Sequence, residues 1–144
     1  MARPAIQAKK LTKFYGKNRG IEQLDLRVER GEVFGFLGPN GAGKSTTINL
    51  LMGFRKPSSG SASILGTPVG PGATHLRKKI GYMPGELSLY ENLKARDLLT
   101  YFGNLRGKAD EPYIRELADR FSLDLGKKIA DLSKGNKQKV ALVA

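Results

Sequence analysis

The stretch Gly38-Pro39-Asn40-Gly41-Ala42-Gly43-Lys44-Ser45-Thr46 satisfies the phosphate-loop pattern G-x-x-x-x-G-K-[ST] at every required position. Its flanks agree with it. Before it, Val33-Phe34-Gly35-Phe36-Leu37 is a short apolar run that reads as a buried strand; after it, Thr46 to Met52 reads as a helix ending at Gly53. Glycines at 38, 41 and 43 permit positive φ and turn successive N–H groups toward an anion, and the first turn of the helix adds its unpaired N–H groups and the positive end of its dipole. Lys44 is then placed to reach outer phosphates as a point charge, and Ser45 can offer its hydroxyl to a Mg²⁺ on those phosphates. Asn40, Ala42 and Thr46 complete the candidate cradle. The plainer alternative is a Gly-rich turn followed by a serine at a helix start.

At 144 residues, 40% of them hydrophobic, the chain has the length of one domain with a modest core. It has no cysteine, which removes disulfides and thiolate metal sites from consideration. No stretch approaches the roughly 20 apolar residues of a membrane span, and Met1-Ala2-Arg3-Pro4 leads into no apolar signal core. The net charge of +12, from 25 basic and 13 acidic residues, favours anionic partners such as nucleotide, nucleic acid or a lipid surface. The excess is scattered from Lys9-Lys10 to Lys139, without interleaved aromatic residues to stack bases, so nucleic acid is the least expected of these.

Ile6 to Leu11 reads as a strand running into a turn at Thr12 to Gly16. Ile21 to Val28, strictly alternating from Leu24, reads as a half-buried antiparallel strand closed by the turn Glu29 to Glu32. Ser61 to Leu65 and Ile80 to Met83 read as further short strands, separated by a Pro/Gly-dense stretch at 67–72 and a short basic helix at Ala73 to Lys79. Beyond Pro84-Gly85 the pattern becomes helical. Leu93, Leu98, Leu99, Phe102 and Leu105 mark one helical face, and Ile114, Leu117, Ala118 and Phe121 another. Three segments follow: a phosphate-loop core with an antiparallel β edge over residues 1–85, a helical lobe over 86–131, and a last segment over 132–144.

This order of elements resembles the nucleotide-binding domain of an ABC transporter across essentially the whole chain. Tyr15, in Lys13-Phe14-Tyr15-Gly16, stands where that family places an aromatic that stacks on adenine; read alone, it is a turn tyrosine packing locally. Ile80-Gly81-Tyr82-Met83-Pro84-Gly85-Glu86 resembles the family's Q-loop entry, but Gly85 occupies the glutamine position and has no side chain to reach Mg²⁺ or an attacking water. Pro84-Gly85-Glu86 is similar to a subset of drug and antibiotic exporters, in which Glu86 would stand in. Leu132-Ser133-Lys134-Gly135-Asn136-Lys137-Gln138 resembles the family signature with its third and fifth positions changed. The resemblance assigns Ser133 and the N–H groups around Gly135 to the outer phosphate of a nucleotide held by a second subunit. Read without the family, the same residues are a capped basic helix start.

The resemblance therefore implies an α/β P-loop fold of the ABC-ATPase type, with an antiparallel β edge, a helical lobe and an incomplete core sheet. It also implies ATP and Mg²⁺ as cofactors, a dimer with itself or a second ABC subunit, a transmembrane permease partner, and a place on the cytoplasmic face of the membrane energising export of a small molecule or drug. Within these residues no acidic side chain follows a run of four apolar ones, and the only histidine, His75, precedes the signature and reads as surface, so the Walker B carboxylates and the switch histidine are absent. Binding without efficient hydrolysis is the expectation. The competing readings are a soluble ABC-type ATPase of translation or DNA repair, and a non-catalytic nucleotide-binding fragment.

Overall fold

Ile6, Ala8 and Leu11 set the centre of the sheet. In a computed structural model, which describes residues 3–70 and 73–144, they lie on β1 (Ile6–Tyr15), flanked on one side by β2 (Asn18–Val28) and on the other by β3 (Ser59–Ile64), with the two-residue β4 (Thr67–Pro68) at the edge. Every pairing is antiparallel. Ile6 stands opposite Val28 and Ile64, and Ala8 opposite Leu26 and Ala62, so apolar side chains stack across three strands on one face. Between Ala8 and Leu11 the register with β2 shifts at a bulge, and Lys10 takes up a left-handed φ of 46°.

Helix α1 (Lys44–Leu51) lies against that apolar face through Leu50 and Leu51, and Leu76 of the single-turn α2 (Thr74–Arg77) joins it. These elements form one compact unit, residues 1–80. The Pro/Gly-dense stretch expected at 67–72 reaches Pro71 and Gly72, which lie outside the described residues, as do Met1 and Ala2.

Residues 81–144 form a second unit built from α3 (Ala95–Leu105), α4 (Glu111–Phe121), a 3₁₀ turn (Ile129–Asp131) and α5 (Lys134–Val143). Ala95, Leu98 and Leu99 of α3 meet Ile114 and Ala118 of α4, and Ile129, Leu132 and Val140 close the core. Asp110 accepts a hydrogen bond from Tyr113 N at 3.0 Å and so caps α4. The chain divides a few residues ahead of the expected 85/86 boundary, and residues 132–144 pack within the helical unit.

Two expected strands are absent. Val33 to Leu37 is irregular and pairs with no strand among the described residues; Phe34 and Phe36 stack at 6.4 Å, while Val33 and Leu37 are exposed. Ile80 to Met83 is likewise irregular, with Tyr82 and Met83 exposed. Apolar content signals burial, but a strand exists only where a second strand accepts its ladder. Helix α3 also begins at Ala95, beyond the expected Leu93, because extended Lys94 bridges to Lys128, and Leu105 ends exposed.

Leu98 is wholly buried at the centre of the helical core. Leu98→Ala is expected to destabilise that unit by about 2–5 kcal/mol, read from the urea midpoint of its helical circular dichroism.

Candidate functional site

Strand β2 carries the phosphate loop on its back. A Cβ on Gly43 would sit 2.3 Å from Ile21 Cγ2 and 2.7 Å from Gly20 O, and Gly43 has φ 91°, so only glycine fits where the loop becomes helix. Gly41 is also left-handed, at φ 83°. Ala42 N donates to Pro39 O at 3.2 Å, and buried Thr47 locks the turn by donating from Oγ1 to Gly43 O at 3.0 Å. The loop is held from below and by itself.

The start of α1 differs from every other long helix of the chain. Ala95 and Arg96 N–H groups of α3 donate to Lys127 O and Leu125 O; α4 has Asp110 and α5 has Ser133 as side-chain caps. The cap of α1 is Gly43, which has no side chain, and its first turn contains no acidic residue. Among the described residues none accepts from the backbone N–H groups of Lys44, Ser45 or Thr46. Three aligned donors at the positive end of a helix dipole make this terminus suited to an anion. Lys44 adds its ammonium, which donates to Gly38 O at 2.6 Å and Pro39 O at 2.7 Å and so folds back over the loop. Ser45 is exposed beside it.

A cavity of about 320 Å³ opens on this terminus, lined by Asn40, Gly41, Gly43, Lys44, Ser45 and Thr46 and also by Tyr15, Arg19 and Gly20. The fold thus brings Tyr15 to the rim of the phosphate loop. The Tyr15 ring lies against Gly20, whose Cβ would come within 2.8 Å of Tyr15 Cε2 and 3.2 Å of Thr46 Cγ2. Gly38 and Ala42 are exposed on the loop outside that lining. Arg19 and Gly20 were not among the residues expected here. A glycine beside an alternating strand is itself a sign of close backbone approach, and Gly20 carries that sign; Arg19 offers none.

The remaining candidates lie in the second unit. Ser133 caps α5, its Oγ accepting from Asn136 N at 3.3 Å, and a Cβ at Gly135 would meet nothing within 4 Å. Buried Leu132 and Val140 root this helix, and Lys137 pairs with Glu91 at 2.7 Å. Glu86 is exposed on an irregular stretch, and in the first unit His75 is exposed on α2.

Known proteins resemble this chain in sequence and in fold. The family model described as "ABC transporter" matches residues 21–144. The chain is 38% identical over 139 residues to "Uncharacterized ABC transporter ATP-binding protein YhaQ" of Bacillus subtilis, covering 93% of this chain and 46% of that protein. It is 40% identical over 145 residues to "Probable multidrug ABC transporter ATP-binding protein YbhF" of Escherichia coli, covering 95% of this chain and 25% of that one. A solved structure described as "Structure of ATP binding subunit of ABC transporter" superposes with a TM-score of 0.83 at 33% identity, over 96% of this chain and 60% of the other. The chain thus spans about a quarter to a half of the length of these two curated relatives.

Gly43→Ala would place a methyl group inside Ile21 while forcing alanine to φ 91°. The expected result is a loss of at least about 1–3 kcal/mol in stability and of any anion binding at the loop, measured by denaturant unfolding and phosphate titration.

Proposed function

Since this chain belongs to the ABC transporter family, we propose that it binds Mg-ATP in the cavity between Tyr15 and the start of α1, as the ATP-binding part of an export ATPase. The observation that carries the reading is that one cavity collects an aromatic ring, a lysine and a helix start whose N–H groups lack protein acceptors. Each has a partner in the nucleotide. The N–H groups of Lys44, Ser45 and Thr46, with the loop glycines, take the inner phosphates; the Lys44 ammonium moves from the loop carbonyls to the outer ones; Tyr15 stacks on the base.

Among the described residues no three His, Asp or Glu side chains converge on a metal-sized point. A Mg²⁺ accompanying the nucleotide would be held by its phosphates and by the Ser45 hydroxyl, and would supply charge neutralisation at the phosphoryl oxygens. These residues bind and orient. They place no carboxylate to hold the metal from the other side or to take a proton from water, so they retain nucleotide without efficient turnover.

By the family resemblance, Ser133 and the helix start around Gly135 would face the outer phosphate on a second subunit, making nucleotide the link of a dimer. Relatives described as a multidrug ABC transporter ATP-binding protein and a Nod factor export ATP-binding protein support a role in export, and this subunit would then sit on the cytoplasmic face of a membrane permease. No helix of the described residues is long and apolar enough to cross a membrane.

Mg-ATP at a hundredfold excess over its Kd should stabilise the protein by about 2.7 kcal/mol, a rise in Tm on the order of 5–10 °C, and Lys44→Ala should remove the rise. An undiminished rise in that variant would place the nucleotide elsewhere. Phosphate release in the steady state should stay at background; release that Lys44→Ala eliminates would show that these residues hydrolyse ATP after all.

A further inference from the structure

Lys13 is held in a way a surface lysine ordinarily is not. Its Nζ donates to Lys56 O at 2.7 Å and stands 5.4 Å from the centroid of the Tyr15 ring. Among the described residues no carboxylate pairs with it. The carbonyl that anchors it is itself fixed. Lys56 lies between α1 and β3, and this connection is tied to the end of β1 by Ser58 N donating to Thr12 O at 2.8 Å and Phe14 N donating to Ser58 Oγ at 3.0 Å. The Tyr15 ring is thus held at two points: the ammonium over one face, and the open Cα of Gly20 along one edge.

We propose that Lys13 is the positioning residue for Tyr15, fixing the ring at the rim of the phosphate-loop cavity and occupying one face so that a purine base stacks on the other. This rests on the Mg-ATP reading above and deepens it. A free tyrosine ring on a strand end turns about χ1 and χ2, and a base that stacks on it must first stop that motion; an ammonium already attracted to the π face has done so. The anchoring carbonyl belongs to the connection that leaves α1, so the base platform and the phosphate-binding helix are coupled through Lys13.

The distinguishing experiment compares Mg-ATP with inorganic Mg-tripolyphosphate, which carries the phosphates without a base, by calorimetric titration of the purified protein. Lys13→Met keeps the unbranched stem and removes the charge. It should weaken Mg-ATP about two- to fivefold while leaving tripolyphosphate affinity unchanged. Lys13→Arg should restore ATP affinity, and Lys13→Met should add nothing in a Tyr15→Ala background. Equal weakening of both ligands, unaltered ATP affinity, or an additive loss in the double variant would each overturn the proposal. If the unmodified protein takes neither ligand, the Mg-ATP reading falls and this one with it; if it takes both and Lys13→Met fails to separate them, only the positioning role falls.

Discussion

The approach of Gly43 to the Gly20 carbonyl and the Ile21 side chain is the contact on which the candidate site depends. The two segments come so close that a single methyl group at Gly43 would overlap Ile21. That contact seats the start of α1 on β2, and because β2 pairs with β1 through Phe14 opposite Arg19 and Tyr15 opposite Asn18, it also fixes where Tyr15 stands relative to the loop. Gly20 serves both neighbours at once. It has room for the Tyr15 ring on one side and the Thr46 methyl on the other, and a side chain there would push them apart. Phosphate loop and aromatic rim are thus one construction, joined by two glycines on adjacent elements.

This construction leaves part of the helix unsatisfied. Helices α3, α4 and α5 each close their first turn with a backbone or side-chain acceptor, a feature worth on the order of 1 kcal/mol per cap. Helix α1 forgoes it, carries no acid in its first turn, and places β-branched Thr46, Thr47 and Ile48 in a short helix. Its stability comes instead from Leu50 and Leu51 packed on the sheet and from buried Thr47 bonded to Gly43 O. A ligand that binds these donors would supply what the protein withholds, so anion binding at this terminus would stabilise the helix.

The unpaired run Val33 to Leu37 follows from the same logic of partners. The rings of Phe34 and Phe36 stack on each other, and Phe36 lines a cavity with Leu24, Gly41 and Thr47. The backbone pairs with no strand among the described residues, and Val33 and Leu37 stand in solvent. The geometry of a strand is local, but its existence is cooperative.

Much of this was legible in the residue order, because the governing physics is local. The G-x-x-x-x-G-K-S spacing specifies a loop conformation and a helix start; the 3.6-residue pattern at Leu98, Leu99 and Phe102 and again at Ile114, Leu117 and Ala118 specifies helices with one buried face; alternation from Leu24 to Val28 specifies a half-buried strand. The cap at Ser133 was legible for the same reason, since the N–H that donates to its Oγ lies only three residues away, on Asn136. What only the tertiary structure decided involves groups distant in sequence. Tyr15 enters the cavity because two strands pair and a third element lands on Gly20; Lys13 reaches its ring because a connection 43 residues away presents the Lys56 carbonyl. Val33 to Leu37 remains irregular because its apolar composition states a preference for burial without naming a neighbour. Periodicity and φ preferences are written residue by residue, whereas close approach of two backbones depends on every element between them.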